Sequence, residues 1–347
     1  MFARAQGGTV AAAAILGALG LGGLADGALA QEFTLRIQTH YAPETPSGKL
    51  VTQFVDDIET MSGGRVDIEM FFSSSVVKSV ETFDAAATGI LDGDMTGGAY
   101  QTGKNPAFQF VGDPMGGYNT PWQQYAWFYY GGGEELADKL YHQFNMELIG
   151  WWVYGQEALA STKPIAGPDD LQDWKFRSPP GLETEIFDKL GASPIVMDFT
   201  EVFTALETGI IDGADASGLA NNVGLGLYDI AEHATYPGFH SMPSDHLALR
   251  KDVWDGLPED IQRIFEVAMQ KLAFQTAMTF EVENAKAAAK LPEQGVTLHS
   301  WSDEQRSEFR TAALEAWETW ADRTPEAREI VDAHYQFMDL LGLRKTQ

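Results

Sequence analysis

The chain has no cysteine among its 347 residues. That excludes disulfides, thiolate metal centres, iron–sulfur clusters and cysteine nucleophiles at once. Positive charge is scarce as well, with 23 Lys and Arg against 50 Asp and Glu and a formal net charge of −27. Such a surface repels nucleic acid and acidic lipid headgroups, so neither is expected as a partner. After residue 24 no apolar run reaches membrane-spanning length without charges. No Gly-x-Ser-x-Gly elbow appears, the seven His are scattered without metal-ligand spacing, and Gly131-Gly132-Gly133 lacks the Lys-Ser/Thr pair of a phosphate loop. Nothing in the chain pairs a nucleophile with a base, so catalysis is not expected.

What is present begins with residues 1–30. One basic residue, Arg4, precedes an apolar run from Val10 to Leu24 and the small-residue end Ala28-Leu29-Ala30. This is the pattern of a secretory signal peptide, cleaved near Ala30, and it predicts a soluble protein outside the cytoplasm.

The mature chain carries an internal repeat. Glu81-Thr-Phe-Asp-Ala-Ala-Ala-Thr-Gly-Ile-Leu-Asp-Gly93 runs parallel to Glu201-Val-Phe-Thr-Ala-Leu-Glu-Thr-Gly-Ile-Ile-Asp-Gly213. Each copy reads as a short helix closed by a glycine, Gly89 or Gly209, where a left-handed residue is wanted. An apolar strand ending at Asp92-Gly93 or Asp212-Gly213 is expected to follow. One copy in each half predicts two similar α/β lobes with strand ends facing a shared cleft.

Periodicity fills in the rest. Phe33, Leu35 and Ile37 alternate as a strand, a helix runs to Gly63-Gly64, and Val66 to Phe72 alternate again. Leu148–Leu159 reads as a strand crossing between lobes and His246–Arg250 as the return. Between them lie a strand at Trp174–Arg177, a helix at Leu182–Leu190 and a strand at Pro194–Met197. Glu259 to Lys290 forms one helical pattern of roughly 48 Å at 1.5 Å per residue, long enough to brace both lobes. Residues 303–341 read as a further helical segment with an aromatic stripe of Phe309, Trp317 and Trp320. The fold class is therefore α/β, two-lobed and periplasmic-binding-protein-like. Residues 31–153 and 246–300 are expected in lobe I, 154–245 in lobe II, and 301–347 in a helical tail.

Arg177 is the leading site candidate. It ends an aromatic-flanked strand and precedes Ser178-Pro179-Pro180-Gly181, which turns the chain. A guanidinium there offers a planar fork for a carboxylate. The alternative for the residue alone is a surface Arg paired with an acid. Tyr100 and Asn105 flank the outlet of the first repeat and offer hydrogen bonds to a ligand oxygen. His240 lies near the cleft edge, Trp151 and Trp152 near the hinge strand.

Lys175-Phe176-Arg177, Leu190-Gly191-Ala192-Ser193-Pro194 and the stretch Glu201–Gly213 together resemble the substrate-binding proteins of TRAP transporters, the tripartite ATP-independent periplasmic transporters. The resemblance covers nearly all of the mature chain. Tyr100-Gln-Thr-Gly-Lys-Asn-Pro-Ala-Phe108, Tyr129-Tyr130-Gly-Gly-Gly-Glu-Glu-Leu136 and Ala234-Thr-Tyr-Pro-Gly-Phe239 make it closer to the branch binding α-keto and hydroxy monocarboxylates. It implies that Arg177 clamps a small organic acid as the lobes close, and that membrane permease subunits are partners. It also implies a cation beside the ligand, Na⁺ or Ca²⁺, held by Gln156, Asp215 and the carbonyl of Ala216. Two positions depart from the branch. Ala216 stands where relatives often carry Trp, and Ser241 where one carries Glu, with Asp245 a substitute if its loop folds back. A sulfonate or a larger acid is the alternative ligand, and a sensory receptor for a signalling kinase the alternative role. The branch exchanges its tail helix between protomers, which implies a homodimer.

Overall fold

The computed structural model describes residues 31–344, and the expected signal peptide lies outside them. Eleven strands form two sheets. They are β1 (Phe33–Thr39), β2 (Val66–Phe71), β3 (Gly93–Met95), β4 (Met146–Val153), β5 (Ala160–Ser161), β6 (Lys175–Ser178), β7 (Ser193–Val196), β8 (Gly213–Ala214), β9 (His233–Thr235), β10 (Ser244–Arg250) and β11 (Thr297–His299). The first sheet has the order β2-β1-β3-β10-β4 and the second β11-β9-β5-β8-β6-β7. Each has a parallel core, β2-β1-β3 in one and β7-β6-β8 in the other, extended by antiparallel strands. These are the two α/β lobes that the repeat predicts.

The chain crosses between them twice. β4 and β10 pair antiparallel from Met146↔Arg250 to Val153↔Ser244, and both are almost wholly buried. The crossing strand is shorter than expected: it ends at Val153 rather than Leu159, because Gly155 takes φ +92 and the chain turns toward the cleft. Both Trp151 and Trp152 are buried, Trp151 stacked 4.2 Å from Phe128. The expected lobe I segment 246–300 is corrected at its end. Thr297–His299 pairs parallel with His233–Thr235, so β11 belongs to the second sheet.

The helix Glu259–Lys290 forms as one element. Ile261, Phe265, Ala268, Met269 and Leu272 recur at helical spacing on its buried face. Near its other end Asn284 accepts from the Ala220 backbone in the second lobe, so the helix touches both.

The two repeat copies are superimposable in their hydrogen bonds. Helices Thr82–Ala87 and Val202–Glu207 end at Gly89 (φ +88) and Gly209 (φ +72). In one, Ile90 and Leu91 both donate to Ala85 O; in the other, Ile210 and Ile211 both donate to Ala205 O. These bonds wrap the apolar pair into the helix-closing turn. The strand therefore starts at Gly93 or Gly213 instead of ending there, which corrects the expected order.

The tail is two helices, Asp303–Ala321 and Pro325–Leu340, not one. Thr324 accepts from Ala327 N as a cap, and Pro325 opens the second helix. Trp317 Nε1 donates to Met115 O, and His334 sits stacked on Trp127 with ring centroids 3.6 Å apart. The aromatic stripe is thus buried against the chain's own body, Trp317 on the first lobe and Phe309 on Phe187 and Phe239 of the second.

Candidate functional site

The lobes meet around an enclosed cavity of about 40 Å³, room for no more than a few water molecules. The first lobe contributes His40, Gly97, Ala99, Tyr100 and Asp245. The second contributes Arg177, Pro179, Asp215 and Ala216, and the hinge region Tyr154, Glu157 and Pro243, with Asp113 from the turn after helix Ala107–Gly112.

Arg177 is 3 % exposed. Strand β6 places it at the sheet's carboxyl end, where its Nη1 donates to Asp215 O at 2.6 Å and its Nε to Met197 O at 3.3 Å. Two backbone carbonyls fix the plane of the guanidinium, and the Phe199 ring lies 5.9 Å from its centre. Its Nη2 has no carbonyl or carboxylate partner among the described residues, with the Tyr100 hydroxyl close to the guanidinium, so half of the fork is open to a ligand. Burial works against its charge, and Tyr100, Asp215 and Glu183 together outweigh that.

Behind Arg177 lies a nest of buried acids. Glu157, Asp215 and His240 each offer one atom to a common point, with all three atoms within 4.8 Å of one another. His240 Nε2 is 3.2 Å from Asp215 Oδ1. Asp113 accepts from Ser241 Oγ at 2.8 Å through Oδ2, and Glu183 approaches from the first turn of helix Leu182–Lys189. Oδ1 of Asp113 has no hydrogen-bond donor among the described residues, and the Asp215 and Glu183 oxygens meet only His240, the Glu157 carboxyl and each other. Burial pushes Asp113 up to about 7, and burial with Asp215 and Asp113 alongside pushes Glu157 well above the carboxylate range. Burial works upward on Asp215, but His240 together with hydrogen bonds from the Glu183 and Glu157 carboxyls outweighs it and holds that group low. Orphaned carboxylate oxygens converging in a dry site are the donor set of a bound cation. The residues present therefore fit the implied cation.

On the first-lobe wall Asp245 accepts from Tyr41 OH at 2.6 Å, and burial pushes it up to about 7. His40 lies 4.0 Å from it and is pushed down to about 3, chiefly by burial. The mouth of the cleft is held by bonds between lobes. Asp198 accepts from Ser79 N at 2.8 Å and Ser79 Oγ at 3.1 Å, and Leu182 N donates to Gln109 Oε1 at 2.9 Å. That last contact needs Gly181 (φ +129), since a Cβ there would fall 2.3 Å from Gln109 Oε1.

Several expected site residues are brought together here: Arg177, Tyr100, Asp215 and Ala216 in the cavity wall, His240 directly behind it. Others are not. Asn105 is spent elsewhere, accepting from Ala107 N and Thr324 Oγ1 and tying the tail to the first lobe. Gln156 borders a separate groove of about 1150 Å³ beside Phe239, Arg306 and Arg310 and its Nε2 donates to Tyr118 O, while its Oε1, the atom expected to face a cation, is buried without a partner among the described residues. Its neighbour Glu157 takes the inward position, because the chain past Gly155 alternates and turns one side chain in and the next out. Ser241 reaches the acids only through Asp113. The buried acids Asp113, Glu157 and Glu183 went unread in the sequence, since each comes from a different segment of an acid-rich chain.

The family model "bacterial extracellular solute-binding protein, family 7" (DctP) matches residues 37–324. A monocarboxylate 2-oxoacid-binding periplasmic protein of a Nostoc strain is 27 % identical over 286 residues, 79 % of this chain and 76 % of that one. Among solved structures, a TRAP periplasmic solute-binding protein of Rhodobacter sphaeroides in an apo open state is 33 % identical, with a TM-score of 0.70 over 89 % of this chain and 99 % of that one. Another, from Pseudoalteromonas atlantica with bound sodium and pyruvate, is 26 % identical, with a TM-score of 0.80 over 90 % and 95 %. The less identical but ligand-bound neighbour fits better, in keeping with the shut cleft described above. Family match and architecture agree: the chain belongs to the DctP family of TRAP solute-binding proteins.

Proposed function

We propose that this chain is the extracytoplasmic receptor of a TRAP transporter for a small 2-oxo or 2-hydroxy monocarboxylate. The observation that carries this reading is Arg177: buried in the interlobe cavity, fixed by two carbonyls, with one amino group left open. The ligand carboxylate docks on that open side and Tyr100 donates to it. Carboxylate oxygens of Asp215 and Glu157, with Asp113 close by, would hold the cation, Na⁺ or Ca²⁺. When bound it supplies positive charge that neutralises the acids and attracts the ligand's oxygens. Micromolar affinity needs about 8 kcal/mol net, within reach of a charged bidentate contact in a dry cleft plus neutral hydrogen bonds.

The family places such proteins in the periplasm as partners of a membrane permease. Export through a signal peptide cleaved near Ala30, delivery of the acid to that permease, lobes spanning 31–153 with 246–296 and 154–245 with β11, and a homodimer through the tail complete the proposal. The test is a thermal-shift screen of organic acids on protein stripped by unfolding and refolding, with and without Ca²⁺ and Na⁺. A short monocarboxylate should raise the melting temperature, more so with the cation, and Arg177→Ala should abolish every such shift. A shift that survives in Arg177→Ala overturns the carboxylate assignment.

A further inference from the structure

The reading above fixes one end of the ligand at Arg177; what the opposite wall asks of the other end follows from Asp245, and rests on that reading. Asp245 sits on hinge strand β10, opposite Trp152 in register and bridged to Gly97, so its backbone is held from both sides. It is 3 % exposed and lines the same cavity as Arg177. Tyr41 OH donates a hydrogen bond to Oδ2, and Oδ1 accepts from no described residue.

Nothing cationic on the first-lobe wall offsets this carboxylate. His40 is neutral, its Nδ1 is buried without a partner, and Gly97, Ala99 and Pro243 offer no side-chain donor to the cavity. Tyr100 is the one free hydroxyl donor there. The wall is therefore rich in acceptors.

We propose that Asp245 sets the specificity of the site by accepting a hydrogen bond from the ligand, so that a 2-hydroxy acid is preferred over the corresponding 2-oxo acid. A hydroxyl on the second carbon donates to Asp245 and gives Oδ1 its partner. A carbonyl oxygen in the same place can only accept. It sets lone pairs against lone pairs and leaves Oδ1 unpaired in a dry site. Sites built to bond a ligand hydroxyl reject the analogue without it far more strongly than apolar pockets reject a missing methylene.

The test is calorimetric titration, at about pH 8.5 where Asp245 is ionised, of the stripped, cation-loaded protein with lactate and with pyruvate, which share one carbon skeleton. The wild-type chain is expected to bind lactate about 10- to 100-fold more tightly, the range of one hydrogen bond to a charged group. In Asp245→Asn that ratio should fall to within about threefold, mostly through weaker lactate binding. In the wild type the lactate preference should shrink as pH falls below about 7, where Asp245 takes up a proton and can donate to the 2-oxo group; this second measurement answers the question if the variant does not fold. Equal affinity for both acids, or tighter pyruvate, overturns the proposal and leaves the Arg177 clamp standing. So does a preference that Asp245→Asn retains, or one that is the same at about pH 5 and about pH 8.5. Binding of neither acid overturns the clamp and this inference with it.

Discussion

A side chain's surroundings decide whether its charge is an asset, and Arg177 and Asp245 show the two outcomes within one cavity. Arg177 keeps its charge because Tyr100, Asp215 and Glu183 surround it. Asp245 has no such help: burial and Asp94 push it up to about 7, with only the Tyr41 hydrogen bond working the other way. A carboxyl raised above its unfolded value takes up a proton on folding. Its contribution to stability is therefore lost as pH rises from about 4 through 7, and the cost is complete above that. Asparagine carries no such proton. The stripped Asp245→Asn variant should thus gain on the wild type as pH rises, with a melting-temperature difference several degrees larger at about pH 8 than at about pH 5. Asp113 is raised in the same way but is present in both chains and cancels from the difference. Scanning calorimetry across that range decides the matter; a difference flat in pH means the buried carboxyl titrates normally.

The repeated helix-and-glycine unit is the element most clearly written in the sequence, and it does more than mark two lobes. The short helical turns that precede the two copies, Ser79–Glu81 and Phe199–Glu201, face each other across the cleft mouth. Asp198 caps its own turn through Thr200 N and Oγ1 and at the same time accepts from Ser79 N and Oγ on the other lobe. These hydrogen bonds draw Asp198 down despite burial working upward. Beside them, Lys78 and Glu201 form an exposed pair at 3.3 Å, the kind worth little. Asp198→Ala should therefore speed ligand release about tenfold or more while leaving association nearly unchanged, and Lys78→Ala should change neither. Stopped-flow tryptophan fluorescence measures both; unaltered release in Asp198→Ala would mean the mouth does not hold the lobes shut. The helix, the glycine and the existence of two copies were legible because local bonding sets them. The strand position was not, since whether Ile90-Leu91 enters a sheet or folds back onto Ala85 depends on a hydrogen-bond choice that apolar character does not encode. The tail is the converse case: Thr324-Pro325 carried a full stop-and-start signal, and the continuous aromatic stripe overshadowed it.

At the scale of the molecule, the site is legible only as far as it is local. Arg177 follows from its own strand and turn, whereas Asp113, Glu157, Glu183 and His240 converge from four separate segments, which only the folding of the second lobe and its contact with Asp113 make neighbours. The same closure sets a contest of fields. A net charge of −27 repels an incoming anion at long range, while Arg177 and a cation attract it only once it is inside. Salt screens the first effect over roughly 10 Å at 0.1 M and reaches the buried groups far less. Association of the organic acid with the cation-loaded protein should accordingly accelerate as ionic strength rises, by a few-fold between about 10 and 300 mM, the reverse of a steered encounter. Tetramethylammonium chloride is the salt of choice, because its cation is too large and too weakly coordinating to compete for the acid nest. Release should be nearly independent of salt, since by then the lobes have shut water and ions out. If association instead slows as salt is added, the cleft mouth is locally positive, and the ligand is drawn in by charges other than the guanidinium at its floor.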